Sequence, residues 1–183
     1  LNETVRALYL HVPMWFTMIF LLLLSSYHSY MFVSKGGELH DSKSYNYAHV
    51  GVYFGILGLL TGMFWAKYTW GTYWTNDPKL NGSAIGLLIY FGYFILRSSI
   101  EDESKKGKIS SVYNVFAFSM LIPLIFILPR LTDSLHPGNG GNPGFNVYDM
   151  NSQLRLVFYP AVTGFIFLGL WISDLRLKML KLK

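Results

Sequence analysis

The residues able to hold a ligand are few and lie in three groups. Trp70, Tyr73 and Trp74 fall close together and run into the turn-forming Asn76-Asp77-Pro78. In a helix, Trp70 and Trp74 share a face and present a broad π surface, with Gly71 beside them for close approach. His11 stands in Tyr-Leu-His-Val-Pro, where Pro13 suits a first helical turn and leaves the imidazole at the rim. His136 precedes Pro-Gly-Asn-Gly-Gly, a loop whose glycines at 138, 140, 141 and 144 would let it fold over a ligand and open again. Scattered cations, Arg6, Lys79, Arg130 and Arg155, complete the set. Imidazoles, aromatic planes and cations suit a flat, apolar, metal-centred ligand with acidic edges. Haem is such a ligand, because its iron accepts neutral imidazole from both faces and its propionates seek cations. The same residues also read as an aromatic belt, a rim histidine, a loop histidine and interfacial anchors, and their types alone leave both readings open.

Other chemistry is excluded more firmly. The chain has no cysteine, hence no disulfide scaffold, thiolate metal site or cysteine nucleophile. No nucleophile and base stand together, so the expected mechanism is ligation and presentation rather than bond-making, and the protein is not expected to be an enzyme. The net charge of +5 does not point to nucleic acid, since the basic residues sit in short connections between apolar runs.

Those runs are the elements that must position the histidines. Apolar residues make up 52% of the 183, charged residues only 14%, and mean hydropathy is +0.33. Stretches 7–34, 44–66, 80–96, 109–129 and 156–173 contain no Asp, Glu, Lys or Arg. A helix needs about 20 mostly apolar residues to cross about 30 Å of hydrocarbon. The expected fold is therefore an all-α integral membrane protein in one domain spanning 1–183, with five transmembrane helices in the lipid bilayer at about 12–34, 47–67, 82–98, 110–129 and 155–174. Because the chain begins with Leu1, a sixth span is expected before it. Ten basic residues fall on one side of this arrangement and five on the other, which places the C-terminus in the cytoplasm and His11, 70–82 and 130–146 outside. The inner side reads as mainly solvated charge, with the runs EDESKK and RLKMLKLK as ordinary polar loop and tail. His28 reads as a histidine hydrogen-bonded to a neighbouring helix, His40 and His49 as structural, and Pro123 as a kink. Spans without carboxylates or paired breaks argue against an ion-coupled transporter.

Three segments in order also resemble a known family. Arg6 to Trp15, RALYLHVPMW, is similar to an R-x-x-Y-x-H-V-P segment, WGTYWTNDPKL to a tryptophan-rich W-G-x-x-W-x-W-D signature, and SLHPG to a second-histidine loop. Together they resemble the integral-membrane haem-handling proteins of cytochrome c maturation, of the CcmC type. The resemblance covers nearly the whole chain. It implies that His11 and His136 are the axial, metal-ligating residues of a non-covalent haem b, that Trp70, Gly71, Trp74 and Asp77 form a platform, and that Arg6 and Lys79 flank it. It further implies haem presentation at the periplasmic face of the bacterial inner membrane, delivery to a membrane-anchored haem chaperone, and subunits of an ABC-type transporter nearby. The family usually has six spans. This chain departs from its signature at Asn76, where a tryptophan is expected, and at Lys79, where an arginine is. Two rival functions predict other features. A cytochrome b-type electron-transfer subunit would place its ligands inside facing helices, and a haem-free structural or transport subunit would show no Soret band.

Overall fold

The structure is a computed structural model and describes residues 2–136 and 150–182. Five helices are long and apolar enough to cross a membrane, and no strand occurs among the described residues. Helix α1 is Asn2–Lys35, α2 Glu38–Trp70, α3 Pro78–Ser99 and α4 Glu103–Ile122; α4 continues through a π-helical segment, Pro123–Ile127, into a short α5, Leu128–Leu131, and α6 is Ser152–Lys181. The all-α, five-span expectation holds. Each helix outruns its expected span at one end or both, because the polar residues flanking the apolar runs wind on as helix. That extension relocates Pro13, which lies inside α1 and not in its first turn. The kink expected at Pro123 takes the form of the π segment, consistent with a residue that lacks an N–H for the helical ladder.

Helices α1 and α2 form an antiparallel hairpin reversed at Gly36 and Gly37, whose φ values of 73° and 96° favour glycine. Their contact has a regular register. Gly51, Gly55, Gly58 and Gly62 of α2 receive Leu22, Met18, Trp15 and His11 of α1, in that order. Lipid tails are as apolar as leucine, so membrane helices associate through close packing, and backbone without Cβ atoms admits bulky partners. A Cβ on Gly62 would lie 2.5 Å from His11 Cε1, and one on Gly58 would lie 3.1 Å from the Trp15 ring. The glycine stripe thus seats His11 and Trp15 side by side. Near the entry to α3, Gly82 lies directly under the Leu124 carbonyl, fastening α3 to the π segment.

Polar groups tie the other helices to this hairpin. The buried Asn114 amide of α4 donates to Ser25 and Ser29 of α1 at 2.7 and 2.8 Å, with Ser44 of α2 also 3.0 Å away. Asn46 of α2 donates to the Ser173 carbonyl of α6 at 2.8 Å. At the end of the bundle away from His11, His28 and His40 meet through their Nδ1 atoms at 2.9 Å, so His28 is hydrogen-bonded to a neighbouring helix, α2. The connections at that end are not all solvated charge. Lys105–Asp102 and Lys106–Glu103 are exposed one-turn pairs, but Arg97 closes a bidentate, part-buried pair with Asp41 at 2.8 and 2.5 Å.

Candidate functional site

At the opposite end, α1, α2, the start of α3 and the π segment line a partly open cavity of about 270 Å³. Its walls are almost wholly apolar: Leu8, Val12, Phe16 and Ile19 from α1, Leu59 from α2, Leu80 from α3, and Ile125 and Phe126 from the π segment. Into this cavity project His11, His136, Lys79 and three tryptophans, Trp15, Trp65 and Trp70.

Both imidazoles are held by the same nitrogen. His11 Nδ1 lies 2.9 Å from the Gly58 carbonyl oxygen and 3.3 Å from Thr61 Oγ1, whose own hydroxyl reaches the Leu57 carbonyl at 2.8 Å. A carbonyl only accepts, so Nδ1 carries the proton and Nε2 keeps its lone pair. His136 Nδ1 donates to Asp77 Oδ1 at 2.8 Å, which again leaves Nε2 as the basic nitrogen. A second-layer acceptor on one ring nitrogen is the arrangement that orients metal-binding histidines and makes their free nitrogen a better donor. Among the described residues no cluster of three or more His, Asp or Glu could hold a bare metal ion. Two imidazoles in an apolar slot suit an ion that brings its own equatorial ligands.

Asp77 anchors this half of the site. Its side chain is 0% exposed, and it caps α3 by accepting from the Lys79 and Leu80 amides at 2.9 and 3.2 Å. Its other oxygen accepts from the Leu135 amide at 2.7 Å and the Ser134 hydroxyl at 2.9 Å. Burial pushes its carboxyl upward, but the Leu135 amide, the charge of His136, the Ser134 hydroxyl and the Leu80 amide outweigh that, holding it below the usual carboxylate range. Burial lowers the pKa of His136, against the pull of Asp77 and with help from the Lys79 charge. At neutral pH the pair is therefore a carboxylate and a neutral imidazole, the form that binds metal.

The structure distributes the other expected residues unevenly. Helix α2 ends at Trp70 because Gly71 adopts φ 81°, with its amide on the Lys67 carbonyl at 3.1 Å. Trp70 and Trp74 accordingly do not share a helix face. Trp70 lies edge-on to His136, with centroids 5.1 Å apart. Trp74 is 41% exposed outside the cavity lining, its indole donating to Asn81 at 3.2 Å. Asn76, the departure from the family signature, accepts from the same Asn81 at 2.8 Å. A Cβ on Gly71 would meet nothing within 4 Å, so that glycine serves the turn and not a close approach. Asp77 stands behind His136 rather than in the wall. Arg6, Arg130 and Arg155 lie outside the lining, whereas Lys79 is within it. The glycines at 138, 140, 141 and 144 lie outside the described residues.

Sequence reasoning passed over Trp15 and Trp65. Trp15 sits one turn from His11 with ring centroids 6.3 Å apart. Trp65 packs edge-on against Trp70 at 5.1 Å and lies 6.4 Å from His136. The first was legible, since residues four apart on a helix share a face. Trp65 carried no comparable signal.

Comparisons with known proteins agree on one family. The model of the family CcmC, heme exporter protein C, matches residues 1–182. Heme exporter protein C of Bradyrhizobium diazoefficiens is 26% identical over 181 residues, covering 98% of this chain and 68% of its own length. The Paracoccus denitrificans protein of that name is 25% identical over 177 residues, covering 96% and 72%. The one from Rhodobacter capsulatus is 28% identical over 142 residues, covering 75% and 57%. The chain thus spans between 57% and 72% of the length of these relatives.

Proposed function

The chain belongs to the heme exporter protein C family, and from that premise we propose that it binds haem b non-covalently between His11 and His136 and presents it for delivery in cytochrome c maturation. One observation carries the reading: both histidines have Nδ1 occupied by an acceptor, and both line the same apolar cavity. Haem is the cargo. His11 and His136 supply Nε2 to its iron, Trp15, Trp65 and Trp70 cover the macrocycle, and Lys79 meets a propionate. Arg6 serves as an approach charge. Trp74, outside the lining, braces the turn through Asn81. No side chain makes or breaks a bond in this scheme. The protein's contribution is to keep haem ligated, dry and reachable from one end of the bundle.

That end is the periplasmic one, by the imbalance of basic residues, with the C-terminus in the cytoplasm of a bacterial cell. Delivery is to a membrane-anchored haem chaperone, beside ABC-type transporter subunits. Protein purified from haem-replete cells is expected to show a six-coordinate low-spin Soret and α/β spectrum. An impermeant thiol reagent added to intact cells should reach a cysteine at Asp133 and not one at Lys105. A featureless spectrum removes the haem site, and the reverse labelling removes its sidedness.

The tryptophans provide a finer test. Stacking on one aromatic is worth about 1 kcal/mol beyond the apolar area it buries. Trp70→Ala should therefore weaken haem retention by about tenfold or more, and Trp74→Ala considerably less. Haem per protein at equal membrane abundance measures both, and equal losses would return Trp74 to the wall of the site.

A further inference from the structure

At the end of the bundle opposite the cavity, α3 and α6 both pack on α2 but not on each other. Between them one face of α2 stays open. Tyr45, His49, Tyr53, Leu57 and Leu60 follow at intervals of three or four residues and so form one stripe along the helix. Tyr53, Leu57 and Leu60 are 57, 47 and 47% exposed. The stripe begins between two guanidinium groups. Arg97 of α3 lies 4.7 Å from the Tyr45 ring centroid, and Arg176 of α6 lies 5.8 Å from it.

The two arginines differ in how their charge is met. Arg97 is neutralised by its bidentate pair with Asp41. Arg176 is half-buried and donates at 2.9 Å to the amide oxygen of Asn46, a neutral group that is itself 1% exposed. Among the described residues no carboxylate pairs with Arg176. On the same helix, by contrast, Lys178 is paired with Asp174 at 2.6 Å. A partly buried guanidinium without an anion is costly, yet Asn46 and Tyr45 hold this one in place at the head of the groove. An anionic head with an apolar tail matches both ends of it. We infer that the groove between α3 and α6 is a binding site for an anionic phospholipid, its phosphate on Arg176 beside Arg97 and an acyl chain along Tyr53, Leu57 and Leu60. A planar guanidinium recognises phosphate through paired charge-assisted hydrogen bonds. The exposed stripe selects a tethered phosphate over a free one.

The test is native mass spectrometry of the full chain, released from detergent after titration with phosphatidylglycerol, phosphatidylcholine or inorganic phosphate. The expected result is one phosphatidylglycerol retained about tenfold more tightly than phosphatidylcholine, undisturbed by millimolar inorganic phosphate. Arg176→Gln should abolish that preference, and Lys178→Gln, which removes the same charge two residues away, should leave it intact. Leu57→Trp fills the track without touching a polar group and should weaken retention of both lipids, with melting by circular dichroism verifying that the variants are folded. Unchanged lipid preference in Arg176→Gln overturns the site. Displacement of lipid by inorganic phosphate would make it a free-phosphate site, and a co-purifying polypeptide lost on Arg176→Gln, with no lipid preference in the parent, would assign the groove to a protein partner.

Discussion

Replacing His11 or His136 with alanine is expected to convert the haem spectrum from six-coordinate low-spin to high-spin and to leave a minority of the protein loaded. The effect should be large because no other imidazole lines the cavity: His28 and His40 are paired at the far end, and His49 is stacked on Phe94 at 4.2 Å in the middle of α2. Alanine at His11 also opens a void against Gly62, a space in which imidazole added from solution can bind. Added imidazole should therefore restore the low-spin spectrum of His11→Ala. His136→Ala has a second consequence, since it leaves the buried Asp77 carboxylate without its ring partner, so its rescue should be weaker. Alanine at His40 or His49 should change neither spectrum nor occupancy. If both site variants keep the parental low-spin spectrum at full occupancy, the iron is ligated elsewhere and the delivery scheme fails with it.

How far this site could be read before folding depends on whether the information was local. The five spans were legible because a run of about 20 residues without charge has few alternatives to a membrane helix. Helix ends were less so, since residues such as Glu38 and Asp41 belong to α2 although they lie outside its apolar run. The end of α2 at Trp70 was written in Gly71, a left-handed stop, but two tryptophans at helical spacing invited continuing the helix past it. The neighbourhood of His11 and Trp15 follows from their spacing. Their seat on Gly58 and Gly62 does not, because pairing two helices in register is a tertiary event. The same holds for Asp77 and His136, which are 59 positions apart. The sequence suggests a turn at Asn76-Asp77-Pro78 and a loop at His136, and only folding reveals that the turn's cap is the loop's anchor.

Removing that anchor should have the second large effect. In Asp77→Ala, α3 loses its N-cap, worth about 1 kcal/mol. The His136 ring, the Ser134 hydroxyl and the Leu135 amide lose their shared acceptor together, and a hydrogen bond to a charged group is worth roughly 1.5–3 kcal/mol. Segment 134–136 would then no longer be docked on α3, and haem affinity should fall by about 10- to 100-fold, the usual cost of deleting a ligand's supporting partner. Asp77→Asn is the more telling variant. Its amide can cap α3 with oxygen, but its nitrogen then faces the Leu135 amide, donor against donor, and the negative charge behind His136 is gone. A less electron-rich imidazole stabilises ferric iron less well, so any haem retained by Asp77→Asn should have a higher reduction potential than the parent. Asp102 caps α4 at the other end through the Ser104 amide at 3.0 Å and has no histidine on it. Asp102→Asn should leave haem content and potential unchanged. A parental potential and parental occupancy in Asp77→Asn would reduce Asp77 to a helix cap and leave His136 to be oriented by its own loop.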